Sequence, residues 1–325
     1  MDVPGLGALD EPVSLTEDTQ GGDGCFRVGR EGVQQILKTR DGKVDFIVYQ
    51  DKTLAYVHSH MGQPALYPVQ EVEIRKPIKA VLMDLDGTSV KSERFWVWVI
   101  EQTTAALLGD PSFRLQEEDV PHIMGHSVVE HLQYCIQKYC PQRTLAQARQ
   151  IYFRITKREL LAIEQGRGRV DAFEPADGLR ELLLELKARR IKIGLVTSGI
   201  REKAWPEIKA VFDLMQLGDP LQFYDAIITA GEALRPGQLG TMGELEAKPH
   251  PWLYAETARV GLHLGVEDRY SVVGIEDSGP GVVAIRLAGF PVIGVEDGNI
   301  RECGVRSLLS HSCRDLYQVA NVLFD

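Results

Sequence analysis

The stretch Lys79-Ala80-Val81-Leu82-Met83-Asp84-Leu85-Asp86-Gly87-Thr88 decides the fold. Residues 79–83 form a short, almost wholly apolar run that ends in acids. An alternating run would mark a strand with one wet face; a continuous one marks a parallel strand buried on both faces. Downstream the pattern returns at IKIGLV (191–196), DAIIT (225–229), YSVVGI (270–275) and PVIGV (291–295). Helical stretches separate these runs, and Leu179, Leu182, Leu183 and Leu186 fit the i, i+3, i+4, i+7 template of one buried helix face. Strands alternating with helices predict an α/β fold with a doubly wound, Rossmann-like parallel sheet.

Between the first strand and the next, residues 92–165 hold helix-like stretches and no convincing strand. Leu145, Ala148, Tyr152 and Ile155 recur on one helical face. The expected organisation is a sheet core at 77–89 and 177–325, with a helical cap inserted at 90–176. Before the core, residues 1–24 carry six acids and no Lys or Arg. So little apolar surface predicts a flexible acidic tail. Residues 25–76 are expected to form a small α+β module that serves packing or a protein contact rather than catalysis. GREGVQQILKTR (29–40) is its one short helix, VDFIVYQ and TLAYVHS flank Asp51-Lys52 as a hairpin, and ALYPVQEVEI is extended. His58 and His60 share a strand face there, without a third metal ligand in view.

The chain has 325 residues, 44% apolar and 25% charged, with a formal charge of −10. That is the composition of a soluble globular protein of two or three domains. The acidic balance excludes broad nucleic-acid binding, which needs a basic surface to displace counterions. No apolar run reaches the roughly 20 residues of a membrane span, and the N-terminus lacks the basic start and apolar stretch of a signal peptide. Cys25, Cys135, Cys140, Cys303 and Cys313 fit no metal spacing and read as reduced thiols. A cytoplasmic location is expected.

In open α/β sheets ligands bind beyond the carboxyl ends of the strands. Those ends supply Asp84, Asp86, Gly87 and Thr88 after the first strand, Thr197, Ser198 and Gly199 after IKIGLV, and Glu276 and Asp277 after SVVGI. Two unit charges about 4 Å apart interact by roughly 4 kcal/mol at an effective dielectric near 20. Clustered carboxylates therefore call for a cation. Carboxylate oxygens without His or Cys favour Mg²⁺, and Lys248, in AKPHPW, is the protein cation placed to join it.

In Asp84-Leu-Asp-Gly-Thr88, Thr197-Ser198, Lys248-Pro249-His250-Pro251 and Gly274-Ile-Glu-Asp-Ser-Gly-Pro-Gly281, the sequence resembles the haloacid dehalogenase superfamily. The resemblance is to its β-phosphoglucomutase-like branch and covers about residues 78–325. It implies a Mg²⁺-dependent phosphatase acting on a small phosphorylated metabolite. By that resemblance Asp84 is the nucleophile that becomes an aspartyl phosphate. Asp86 protonates the leaving oxygen and later deprotonates water. Thr197 donates to a phosphoryl oxygen, and Lys248 neutralises charge on Asp84 and the phosphoryl group. The Asp84 carboxylate, the Asp86 carbonyl and Asp277 hold Mg²⁺, and Glu276 joins them directly or through water. Gly87, Thr88, Ser198 and Gly199 border the substrate.

The pattern departs in three places. Relatives carry an acid where this chain has Lys91, which reads either as a contact to a second anionic group or as a solvated hinge lysine. Trp96 stands where sugar-phosphate mutases carry a proton-relaying histidine, and Val128 stands where they carry an arginine. Both favour hydrolysis over a phosphomutase reaction. Gly125-His126-Ser127 resembles a substrate-specificity loop, which makes His126 a candidate substrate contact. Phosphonate cleavage through a lysine imine is the other enzymatic alternative, and a regulatory module using residues 25–76 the non-enzymatic one.

Overall fold

The computed structural model describes residues 2–8, 15–58, 64–123, 128–169, 171–229, 247–296 and 298–325. It forms two compact units, one of Met1–Ser89, Ala176–Arg201 and Leu221–Asp325, the other of Val90–Pro175 and Glu202–Pro220. The last segment is one that the sequence pattern places with the sheet.

The first unit is built on a six-stranded parallel sheet. Its strands, in spatial order, are Ala226–Ile228, Lys192–Val196, Ala80–Asp84, Val272–Glu276, Val292–Val295 and His311–Cys313. Ala80, Val81, Leu82 and Met83 are wholly buried, which is why this central strand reads as a continuous apolar run. Leu82 is paired with Gly194 on one side and Gly274 on the other. A Cβ on Gly274 would lie 2.5 Å from the Ile285 side chain, so the glycine lets helix Gly279–Leu287 pack directly on the sheet.

Register places the chemistry. Asp84 is level with Val196, so Thr197 follows at the same rim. Met83 is level with Ile275, which brings Glu276 beside Asp84.

The N-terminal region corrects two expectations. Strands Thr16–Asp18, Gln35–Lys38, Val44–Val48, Thr53–Val57 and Ala65–Val69 form an antiparallel sheet in that order, and its described residues contain no helix. The helix expected within 29–40 is the strand Gln35–Lys38, because neighbouring Ile36 and Leu37 bury on opposite faces. Ile36 packs with Val33 and Ile47, and Leu37 joins the main core. Period 2 wins over the helical reading. The hairpin about Asp51-Lys52 forms as expected, with Val48 opposite Thr53.

Nor are residues 2–8 and 15–24 a flexible tail. Thr16–Asp18 pairs with Ile36–Lys38, Lys38 meets Asp18 at 2.8 Å, and Val3, Leu6 and Leu15 enter the main core. Three well-placed apolar side chains outweigh an acidic average. His58 lies between Asp23 and Asp45, at 3.3 and 3.2 Å through its two ring nitrogens, while His60 lies outside the described residues. The carboxylates flank the imidazole on opposite sides and do not converge with it on one point.

In the second unit, helices Glu93–Leu108, Val128–Tyr139 and Leu145–Glu164 pack together. Phe95 is fully buried, with ring centroids 4.8 Å from Phe173 and 4.8 Å from Trp96. Asp119, also fully buried, accepts from Tyr134 at 2.7 Å and from Lys138 at 2.7 Å. Among the described residues no helix is long and apolar enough to cross a membrane, and the five cysteines are unpaired.

Candidate active site

The site is assembled at the carboxyl rim of the parallel sheet. Asp84 ends the central strand with 5% of its surface exposed. Its backbone carbonyl accepts from the Ser89 hydroxyl at 2.5 Å, which ties down the turn that follows. Within that turn Gly87 has φ +81°, and a Cβ there would lie 2.2 Å from Asp277 Oδ2. Only glycine lets the backbone pass so close to that carboxylate.

Lys248 joins the acids. Its ammonium donates to Asp84 Oδ1 and, at 2.5 Å, to Glu276 Oε1. The fully buried Tyr254 donates to the same Glu276 oxygen at 2.9 Å. The other oxygen, Oε2, accepts from the Asp277 and Ser278 amides at 3.0 and 2.9 Å and from the Ser278 hydroxyl at 2.9 Å. Both oxygens of Glu276 are thereby engaged by five donors.

Thr88 is fully buried and donates to Asp277 Oδ1 at 3.0 Å. Expected to border the substrate, its hydroxyl instead fixes a carboxylate. Thr197 donates to Asp86 Oδ2 at 3.4 Å and accepts from the Gly199 amide at 2.9 Å. The Lys248 amide donates to the Ser198 hydroxyl at 3.3 Å. Of the residues expected at the site, Asp84, Asp86, Gly87, Thr88, Thr197, Ser198, Gly199, Lys248, Glu276 and Asp277 lie in the first unit and meet at this rim. Lys91 belongs to the second unit, in a short strand paired with Glu174–Pro175. His126 and residues 230–246 lie outside the described residues. Tyr254 escaped sequence reading, because a lone tyrosine three residues past Pro251 carries no motif.

The electrostatics follow from burial. Desolvation, then repulsion by Glu276, pushes the Asp84 carboxyl up to about 8 against the pull of Lys248. Asp277 is raised well above the usual carboxylate range, by burial and then by Glu276 and Asp84. Burial lowers the Lys248 ammonium, but Asp84 and Glu276 outweigh it and hold the group above its usual value. One lysine faces at least three carboxylates. Asp84, Glu276 and Asp277 each present an oxygen within 4.8 Å of the others. An all-oxygen donor set with excess negative charge fits a hard divalent cation.

Such a cluster on such a sheet defines the class: a hydrolase of the phosphatase and phosphomutase type. The chain belongs to the haloacid dehalogenase-like hydrolase family, whose model matches residues 81–295. It is 27% identical over 229 residues to the validoxylamine A 7'-phosphate phosphatase of Streptomyces hygroscopicus subsp. limoneus, covering 67% of this chain and 85% of that protein. Its fold is similar to that of CbbY from Rhodobacter sphaeroides, solved with phosphate, at TM-score 0.51 and 20% identity, over 74% of this chain and 96% of the other. It is likewise similar to a HAD-superfamily hydrolase of subfamily IA from Geobacter sulfurreducens, at TM-score 0.53 and 18% identity, over 78% and 99%. The two solved structures are matched almost whole while about a quarter of this chain stays unmatched. The antiparallel N-terminal sheet precedes the family match entirely.

Proposed function

We propose that the chain is a Mg²⁺-dependent phosphomonoesterase that hydrolyses a small phosphorylated metabolite through an aspartyl phosphate on Asp84. The observation that carries this is the position of Lys248 on both Asp84 and Glu276, with Asp277 beside them. A nucleophilic carboxylate must approach an anionic phosphoryl group, so positive charge has to be fixed at the point of attack. Lys248 supplies it, and Glu276, saturated by five donors, keeps the lysine in place.

Asp84 Oδ attacks phosphorus in line with the leaving oxygen, which Asp86 protonates. Asp86 then takes a proton from the water that hydrolyses the acyl phosphate. The Thr197 hydroxyl orients Asp86 in the resting site and turns to a phosphoryl oxygen when substrate is bound. The amides near Ser198 and Gly199 complete the cradle. The Asp84 and Asp277 carboxylates and the Asp86 carbonyl would hold Mg²⁺, with Glu276 as the flanking acid. When bound, the ion supplies charge neutralisation at the phosphoryl oxygens.

The second unit supports hydrolysis over mutase chemistry. Trp96 lies under the Lys203 ammonium, 3.9 Å from its ring centroid, and against Phe95, so its indole is committed to packing.

The test is Mg²⁺-dependent phosphate release over a panel of phosphorylated metabolites, compared with Asp84→Asn. Loss on the order of 10⁴-fold or more is expected on removing the nucleophile. Equal rates would overturn the mechanism. Hydrolysis in isotope-labelled water separates the alternatives, since only a hydrolase puts solvent oxygen into released phosphate.

A further inference from the structure

The lysine sits in a tight turn, Ala247-Lys248-Pro249-His250, closed by the His250 amide on the Ala247 carbonyl at 3.1 Å. Pro249 and Pro251 flank His250 and fix two φ angles, so His250 and Lys248 move together. His250 is 3% exposed. Its Nδ1 shares a hydrogen bond of 2.8 Å with the hydroxyl of Tyr67, which comes from the last strand of the N-terminal sheet.

Tyr67 also meets the His250 ring edge-on at 5.8 Å and the Trp252 ring at 6.3 Å, so it touches the loop on both sides of Pro251. The strand carrying it is itself well held. Tyr67 pairs with Ala55, Val69 lies in the main core, and the following chain is tied down by the Arg75 amide on the Tyr270 carbonyl at 2.8 Å. A rigid sheet outside the family match thus ends on the loop that supplies the site's only described ammonium.

We infer that Tyr67 is a positioning residue for catalysis: through His250 it sets where the Lys248 ammonium stands against Asp84, making the N-terminal sheet part of the catalytic machinery. The inference rests on Lys248 as the cation that faces the phosphoryl group. Its physical basis is that a catalytic group displaced by about 1 Å can cost about 10²-fold in rate. Loss of a single hydrogen bond to a neighbouring side chain should cost less.

The test uses the full chain and two readouts, turnover and the affinity for tungstate measured by calorimetry in the presence of Mg²⁺. Tyr67→Phe keeps the ring and removes the hydroxyl that meets His250. It is expected to lower kcat about tenfold with KM changed less than twofold, and to weaken tungstate about tenfold. His250→Ala should do the same, and the double variant should be no worse than either single one, since both remove one link. His250→Asn should restore near-wild-type values, because its amide can donate or accept where Nδ1 stood. Unchanged kcat and tungstate affinity in Tyr67→Phe, additive losses, or His250→Asn as poor as His250→Ala would each overturn the inference. Absence of turnover in the wild type would count against the phosphatase function, and the tungstate series would then read the role of Tyr67 alone. A wild type that neither turns over nor binds tungstate would overturn both.

Discussion

Lys248 donates to Glu276 across 2.5 Å in an ion pair whose side chains are 7% and 0% exposed. Among the described residues every hydrogen-bond partner of Glu276 is a donor: Lys248 and Tyr254 at one oxygen, two amides and the Ser278 hydroxyl at the other. In Glu276→Gln the new NH₂ must therefore face donors whichever way it is turned. Relief of repulsion on Asp84 and Asp277 offsets part of the loss, but two or three buried donors left unpaired cost about 1–3 kcal/mol each. Unpaired donors win. A lower thermal midpoint and a kcat reduced about 10²-fold are expected. Tyr254→Phe removes one donor only and should cost less than tenfold. Equal effects of the two substitutions would show that the charge of Glu276 is not what matters.

Gly87 cannot accept a side chain without disturbing the site. A φ of +81° disfavours any L residue by roughly 1–2 kcal/mol. The larger effect is that an alanine Cβ would stand 2.2 Å from Asp277 Oδ2 and 2.8 Å from its carboxyl carbon. Asp277 would have to leave Thr88 and turn from Asp84. Gly87→Ala should keep the circular dichroism of the fold, raise the Mg²⁺ concentration needed for half-maximal activity, and lower kcat by more than about 10²-fold. A Mg²⁺ titration of phosphate release measures both.

How much of this was legible in the sequence differs between the two halves of the first unit. The parallel sheet declares itself because burial on both faces leaves only apolar residues in AVLM (80–83), and pairing register then carries Asp84, Thr197 and Glu276 to one rim. The N-terminal sheet does not. Ile36 and Leu37 are adjacent, so neither period 2 nor period 3.6 stands out in GREGVQQILKTR, and only the two separate cores they enter decide it. Tyr254 and Tyr67 are invisible for another reason: each gains its role from a partner distant in sequence, Glu276 in one case and His250 in the other.

The N-terminal sheet and the parallel sheet share one apolar core. Val44, Phe46 and Val48 on one strand face join Val282, Ile285 and Phe290 in it. Phe46→Ala is expected to cost roughly 3–5 kcal/mol. Because the core is continuous, the cost should fall on the catalytic unit as a whole. Calorimetry should show a lower midpoint for the same transition that tungstate raises. A separate transition that moves while the tungstate-sensitive one stays in place would show that the sheet folds independently.

The buried carboxylates set a pH dependence whose direction can be stated. Burial first, then Glu276, raises Asp84 to about 8 from an ordinary value of 3.8. Asp277 is raised for the same reasons. A carboxyl raised in the folded chain holds its proton where the unfolded chain has lost it. Its stabilising contribution is thus complete below the unfolded value and disappears as pH rises towards the folded one. In the absence of divalent cations the thermal midpoint should therefore fall by several degrees between about pH 4 and pH 8. A bound cation favours the ionised carboxylates and opposes that loss, so Mg²⁺ should raise the midpoint more at pH 8 than at pH 5. Asp84→Asn, which cannot ionise, should flatten the metal-free slope. Differential scanning fluorimetry with EDTA or Mg²⁺ across this range reads all three effects. A metal-free midpoint that climbs with pH would mean that Lys248, and not desolvation, dominates the cluster.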